Sequence, residues 1–285
     1  MERGSWFIEE VDGQVGGQVG GLSFRIEEVL FEADSPFQNI KVVSNPFFGK
    51  VMLLDDVVML TDKDEYFYHD MLVHVPMTCA DDPEEVLIIG GGDGGSVREV
   101  LKHPGVKRVV LCEIDEMVID VAREYFPGLA SCLDEERVEV LCADGIEYIK
   151  AQSSAFDCIC IDSTDPVGPA EGLFTAEFYA HVKRALTPKG AMSAQTESPA
   201  WGLENLVRIV GNVRTGFGNA SLYLTPVPCY PSGLWSMTCA TADGRNPAQH
   251  FDLKRAQAVS ARCTYYNPEI HRASFVLPNF VKEVL

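Results

Sequence analysis

The amino-acid sequence predicts an α/β protein, a doubly wound and mostly parallel sheet preceded by a small antiparallel β-domain. Three observations carry this. From residue 86 onward short apolar segments alternate with helix-like ones, the pattern of parallel strands joined by crossover helices. The first of these segments, 86–90, runs straight into Gly-Gly-Asp-Gly-Gly, a loop able to lie close to a ligand at a strand's carboxyl end. Residues 1–63 read instead as short strands separated by turn residues, which places a β-domain there and a larger sheet domain at 64–285.

Taken in order, 22–31 and 38–43 are strand-like, and Asn45-Pro-Phe-Phe-Gly49 is a turn leading into strands at 50–54 and 57–61. Residues 13–21, Gly-Gln-Val-Gly-Gly-Gln-Val-Gly-Gly, hold too much glycine to pack and predict a mobile turn. A helix follows from Asp64, carrying Tyr66, Tyr68, His69, Met71 and Leu72 and ending near Pro76. Strands are expected at 86–90, 108–114, 138–143, 156–162 and 191–195, with helices near 96–102, 117–125, 146–152, 175–186 and 204–213. Two last strands, 220–226 and 234–240, flank Cys229-Tyr-Pro-Ser-Gly233 and should pair antiparallel at the sheet edge.

The 285 residues contain 23 Lys and Arg against 42 Asp and Glu, a net charge of −19. Such a surface repels nucleic acid and anionic membrane and attracts small cations. No run of about 18 apolar residues exists, and Glu9, Glu10 and Asp12 interrupt any leader-like start, so a cytoplasmic chain is expected. The nine cysteines form no CxxC pair and several lie in apolar runs, as in Phe156-Asp-Cys-Ile-Cys-Ile-Asp162. They read as buried reduced thiols, and no zinc spacing or other metal site is expected.

Glu113 stands about twenty residues beyond the glycine loop at the end of the next strand, where a carboxylate can hold both hydroxyls of a ribose. Asp93 then separates the possible nucleosides. Inside the loop it would face a dinucleotide's pyrophosphate or the carboxylate of S-adenosylmethionine, and two like charges about 4 Å apart at an effective dielectric near 20 cost about 4 kcal/mol. A nucleoside ending in a free amine is favoured instead, such as decarboxylated S-adenosylmethionine. Asp144-Gly145 ends the third strand at the same rim, where Asp144 could accept the adenine amino group.

Asp162-Ser-Thr-Asp165-Pro-Val-Gly-Pro169 follows the fourth strand and puts two more carboxylates at that edge. Clustered carboxylates repel one another unless a cation is expected. A diamine suits the field, and its apolar middle calls for aromatic walls, for which Tyr68, Tyr230 and Trp6 are candidates.

Together, Gly-Gly-Gly-Asp-Gly-Gly, Cys-Glu-Ile-Asp, Asp-Gly, Asp-Ser-Thr-Asp-Pro-Val-Gly-Pro and Tyr-Pro-Ser-Gly resemble spermidine synthase, over about residues 6–280. Asp64-Glu-Tyr-Phe-Tyr-His-Asp and Tyr265-Tyr-Asn-Pro-Glu-Ile-His-Arg extend the match. The resemblance implies a sheet of the S-adenosylmethionine-methyltransferase-like type and donor contacts from Gln38, His69, Asp93, Glu113, Asp144 and Gly145, with Pro169 beside the adenine. It implies Asp162 as proton acceptor, Asp165 with Ser163 and Thr164 seating the diamine, Tyr68 and Tyr230 as walls, and Gln195 and Trp6 near the far amine. It also implies a homodimer or homotetramer, a loop at 163–173 that orders around ligands, and a transferase in which decarboxylated S-adenosylmethionine is a co-substrate and no cofactor takes part. The doubled Gly-Gln-Val-Gly segment departs from the family's single turn.

The expected reaction moves an aminopropyl group from decarboxylated S-adenosylmethionine to putrescine, giving spermidine and methylthioadenosine. Cadaverine, agmatine, 1,3-diaminopropane and spermidine stay open as acceptors, because one methylene is worth only about 1–3 kcal/mol in an apolar pocket. A methyltransferase shares the glycine loop and the acidic residue after the second strand, and Asp93 argues against it. A non-catalytic nucleoside- or polyamine-binding module is the other class to test, with a nicotinamide oxidoreductase a distant third.

Overall fold

The computed structural model describes residues 4–12, 18–166 and 168–285, the side chains of residues 12, 18, 19 and 169 excepted. The chain opens with a hairpin, β1 (Trp6–Asp12) against β2 (Gln18–Arg25). A four-stranded antiparallel sheet follows in the order β3 (Glu28–Asp34), β4 (Asn39–Asn45), β5 (Gly49–Leu54) and β6 (Val57–Thr61). The stretch 22–31, read from sequence as one strand, is therefore two. The chain changes partner at Ile26 and Glu27: Ile26 N–H still donates to Ser5 O, just ahead of β1, while Glu27 N–H already donates to Ser44 O. The segment 13–17, within the expected mobile turn, lies outside the described residues, but Gly20 and Gly21 belong to β2. A Cβ on Gly20 would meet the Trp201 ring at 2.5 Å, so here glycine permits packing instead of preventing it.

Helix α1 (Tyr66–Cys79) runs through Pro76 instead of ending there. A proline inside a helix leaves the carbonyl four residues earlier without its N–H donor. That carbonyl, Leu72 O, takes the Ser193 hydroxyl and the Cys160 thiol from two strands of the main sheet. Tertiary packing thus supplies the bond that the local sequence removes.

The main sheet contains β7 (Glu85–Gly90), β8 (Arg108–Glu113), β9 (Val138–Cys142), β10 (Phe156–Asp162), β11 (Leu186–Gln195), β12 (Ser221–Pro226) and β13 (Leu234–Thr241), in the spatial order β12-β13-β11-β10-β7-β8-β9. Strands β7 to β11 are mutually parallel, and β12 and β13 close one edge antiparallel, as expected. The crossovers include α2 (Gly95–Val100), α3 (Glu116–Tyr125), α4 (Pro127–Ala130), α5 (Gly145–Lys150), α6 (Ala176–Ala185) and α7 (Leu203–Phe217). Strand order reverses between β7 and β10, and in open α/β sheets ligands bind at such a switch point.

Two apolar clusters cover the faces of this sheet. One joins Val86, Ile88, Val109 and Leu111 to α2 and α3, and the other joins Leu87, Ile89, Ile159 and Ile161 to α5, α6 and α7. The small sheet is buried on both faces, since Ile40, Val42, Met52 and Leu54 enter the first cluster while Val43, Val51, Leu53 and Val58 pack on α1. This holds β4 to β6 against the carboxyl edge of the main sheet. All nine cysteines are free, and six are buried. Among the described residues no helix is long and apolar enough to cross a membrane.

Candidate active site

The glycine loop draws β7 and β10 together at their carboxyl ends. Gly90 and Gly91 have φ of 78° and 69°, backbone that a side chain would strain. A Cβ on Gly90 would lie 2.1 Å from Asp162 O, and one on Gly91 2.8 Å from Asp162 Oδ2. Glycine is therefore what lets Asp162, the last residue of β10, reach the loop. The Ser96 hydroxyl donates to Asp162 Oδ2 at 2.6 Å. Burial, then the neighbouring Asp93 charge, push the Asp162 carboxyl above its usual range.

A cavity of about 470 Å³ opens at this switch point between the main sheet and the small one. Its wall brings together Gln38, His69, Asp93, Glu113, Asp144 and Gly145, as the sequence predicted, along with Asp162. Gly168 and Ala170 also line it, while the Pro169 side chain lies outside the described residues. Most of the polar groups are already held by the protein. Glu113 accepts from Gly92 N–H at 3.2 Å and Asp115 N–H at 2.9 Å, and burial pushes it up to about 7. Asp144 caps α5 by accepting from Ile146 N–H at 2.8 Å. The Gln38 amide donates to Asp115 Oδ2 at 3.0 Å, and Asp115 also caps α3.

Asp93 Oδ1 accepts from Gly95 N–H at 2.7 Å and faces His69 Nε2 at 3.3 Å. The other ring nitrogen, His69 Nδ1, is 2.7 Å from Glu65 Oε2. Burial works against charge on all three groups, but their mutual attraction prevails. Asp93 and Glu65 are held below the usual carboxylate range and His69 well above the usual imidazole range.

A second pocket, about 90 Å³, adjoins the first and shares Tyr68, Ser163, Thr164, Asp165 and Tyr230 with it. Tyr68 and Tyr230 meet edge to face at 6.1 Å, and Tyr230 is fixed by its hydroxyl donating to Met59 O at 2.8 Å. The Gln195 amide donates to Thr164 O at 3.1 Å, tying β11 to the Asp162–Asp165 loop.

Trp6 is the one described candidate that the fold keeps away. It is 56% exposed on β1 with the Arg25 guanidinium over its ring at 5.5 Å, and the tryptophans lining the small pocket are Trp201 and Trp235. Strand alternation is the reason: Phe7 and Glu9 point inward, so Trp6 points out.

The sequence reading also missed Glu9 and Glu197, two carboxylates on the small pocket. Burial pushes Glu9 up to about 7, and burial followed by the Asp165 charge pushes Glu197 up to about 8. Burial alone lifts Asp165 to about 6. Glu9 carried no signal of its own, because the sequence reading places no strand at 6–12 and its inward direction is set by the hairpin. Glu197 carried no signal in sequence, though its φ of 75° marks it in the structure.

Comparison with known proteins matches residues 65–252 to the spermine/spermidine synthase domain and residues 5–62 to the spermidine synthase tetramerisation domain. The polyamine aminopropyltransferase of Moorella thermoacetica is 44% identical over 283 residues, covering 99% of this chain and 97% of that protein. Its counterpart in Thermoanaerobacter sp. strain X514 is 40% identical over 279 residues, covering 98% of each. The spermidine synthase structure from Thermotoga maritima superposes with a TM-score of 0.93 at 41% identity, covering 99% of this chain and 94% of that one. A spermidine synthase in complex with the transition-state analogue AdoDATO gives 0.94 at 41% identity, with 100% and 96% coverage. In motifs, in topology and in similarity along its length, this chain belongs to the spermine/spermidine synthase family, the polyamine aminopropyltransferases.

Proposed function

We propose that the enzyme transfers the aminopropyl group of decarboxylated S-adenosylmethionine to putrescine, forming spermidine and methylthioadenosine. The observation that carries this is the pair of adjoining cavities, one sized for a nucleoside and one narrow and acidic, with Asp162 beside their shared wall. In the larger one Glu113 would hold the ribose, Asp144 and Gly145 the adenine edge, with Pro169 beside the ring, and Asp93 the donor's ammonium group, with Gln38 and His69 lining the wall. In the smaller one Tyr68 and Tyr230 would flank the diamine's methylenes. Asp165, the Ser163-Thr164 backbone and Gln195 would seat its amines.

The reaction is one displacement. The lone pair of the neutral amine attacks the methylene next to the sulfonium, the carbon–sulfur bond breaks, and its electrons neutralise the departing thioether. The attacking nitrogen becomes an ammonium and gives its proton to Asp162. An alkylammonium titrates near about 10 and an ordinary Asp near about 4, so proton transfer accompanies bond formation instead of preceding it. Orientation in the joined cavities supplies much of the rate. Since a neutral thioether leaves and nothing is oxidised or reduced, we assign no cofactor or metal. We further take the working form to be a cytoplasmic homodimer or homotetramer, with residues 1–63 covering the cleft of 64–285, which light scattering on the purified protein tests.

Incubation with donor and putrescine should release methylthioadenosine and spermidine in equal amounts, faster as pH rises from about 7. Decarboxylated S-adenosylmethionine should bind more tightly than S-adenosylmethionine, and Asp93→Ala should narrow the gap. Methyl transfer in place of aminopropyl transfer, or binding without product, would overturn the proposal.

A further inference from the structure

Charges alternate along a line leading out of the donor cavity into the protein. Asp93 faces His69, His69 faces Glu65, the Arg98 guanidinium meets Glu65 at 2.8 Å and 3.0 Å, and Arg98 Nε donates to Glu99 at 2.8 Å. Glu99 in turn receives His74 Nε2 at 2.9 Å and the Lys102 ammonium. The line crosses three elements, since Glu65, His69 and His74 lie at and along α1, Asp93 on the glycine loop, and Arg98 and Glu99 on α2.

His69 is the decisive link. Its two ring nitrogens point at two different carboxylates, and an ionised carboxylate only accepts hydrogen bonds. A neutral imidazole has one N–H and would leave the other nitrogen's lone pair against an anion. The doubly protonated ring satisfies both. The ring has no room to turn away, because it is 3% exposed and a Cβ on Gly95 would lie 2.3 Å from it. The groups facing it are Glu65 from its own helix, Asp93 from the loop, Asp162 from β10 and the edge of Tyr68, with Arg98 behind Glu65.

We propose that Glu65 and Arg98 are positioning residues for aminopropyl transfer, holding His69 as an imidazolium whose charge keeps Asp93 and Asp162 ionised side by side. Two buried carboxylates in one site ordinarily cannot both ionise without a cation between or beside them. The donor brings positive charge only once bound, whereas His69 supplies it beforehand. Arg98 orients Glu65, itself on the cavity wall, through two hydrogen bonds, so the carboxylate stays turned toward the imidazolium.

The inference builds on the aminopropyl-transfer reading, and the first measurement does not depend on it. In full-length protein labelled with 15N-histidine and free of ligand, the His69 signals, assigned by their loss in His69→Gln, should show a doubly protonated ring at about pH 7.5. Glu65→Gln should lower the His69 midpoint by at least about one pH unit, and Glu65→Asp, which keeps the charge, should restore most of it. The second measurement is the pH profile of kcat/KM for the donor, whose acid limb reports free-enzyme carboxylates. Removing a nearby cation raises a carboxyl pKa, so the limb should move to higher pH in Glu65→Gln. Activity should fall roughly tenfold near pH 6 and less than about threefold near pH 8.5.

A neutral His69 in the wild-type protein at about pH 7.5 would overturn the proposal whether or not the variants fold. An unmoved midpoint in Glu65→Gln removes Glu65 from the role, and a shifted midpoint with an unmoved acid limb removes the link to the carboxylates. A charged His69 in a protein that transfers no aminopropyl group would sink the reaction instead, leaving the charge assignment in place.

Discussion

The large cavity and the small pocket beside it differ in how firmly the chain directs their carboxylates. Asp93, Glu113 and Asp144 accept backbone N–H bonds from Gly95, Gly92 with Asp115, and Ile146, so their directions are set by the chain before any ligand arrives. Around the small pocket Glu9, Asp165 and Glu197 are pushed up to about 7, 6 and 8, with burial the largest cause in each. The contrast is one of degree, since Glu113 is also pushed up to about 7 and Glu9 also accepts from Val58 N–H at 3.0 Å. The first region is set mainly by oriented acceptors, while in the second burial raises all three acids, whose charge then depends on what occupies the pocket. A site of the second kind senses pH, because its carboxylates and a diamine each make the other's charge favourable.

The most severe way to break this comparison is at the junction. Asp162→Asn should cut kcat at least about a hundredfold while donor affinity, measured calorimetrically, stays within a few-fold. Unchanged turnover would remove Asp162 from proton transfer.

Next is the acidic pocket itself. Its carboxylates are neutral below their raised pKa values and anionic above them, while the diamine stays cationic up to about pH 9. KM for putrescine should therefore fall as pH rises from about 6 to 8.5, and Glu197→Gln should raise it about tenfold at the upper end and much less at the lower. A pH-independent KM in both enzymes would mean that the pocket does not meet the amine.

The same shifts bear on stability. A carboxyl raised in the folded state binds more protons folded than unfolded, so it costs stability as pH rises from its unfolded value through its folded one. The ligand-free enzyme should lose stability on this account between about pH 5 and 8, and putrescine should raise Tm by several degrees more at about pH 8 than at about pH 6. Equal shifts at both values would contradict it. The smallest effects sharpen the aromatic wall: Trp201→Ala should raise acceptor KM several-fold, whereas Trp6→Ala, out on the hairpin surface, should stay within about twofold.

Much of the large cavity was legible because its residues sit in local motifs at strand ends, where the fold class alone fixes their position. Glu113 closes β8, Asp144 precedes α5 and Asp162 closes β10, so one sheet topology brings them to one rim. The small pocket was legible only in part. Tyr230 and the Asp162–Asp165 loop came from motifs and Gln195 from the family resemblance, but Glu9 arrives on a strand of the amino-terminal hairpin and Trp201 from a turn packed on Gly20. The misplacement of Trp6 has the same origin, since which of two adjacent strand residues faces inward depends on the surface the hairpin lies on.

The linear sequence by itself determined the parallel sheet, the glycine loop and the ring of acids at its carboxyl edge, because apolar periodicity and turn chemistry act over a few residues. Three things were decided only in three dimensions: the passage of α1 through Pro76, the hairpin that brings Glu9 to the pocket, and the His69–Glu65–Arg98 line. Each depends on groups far apart in the chain, where Leu72 O finds Ser193 and Glu65 finds Arg98. Such bonds form only after apolar burial has already brought the elements together, so no local pattern announces them.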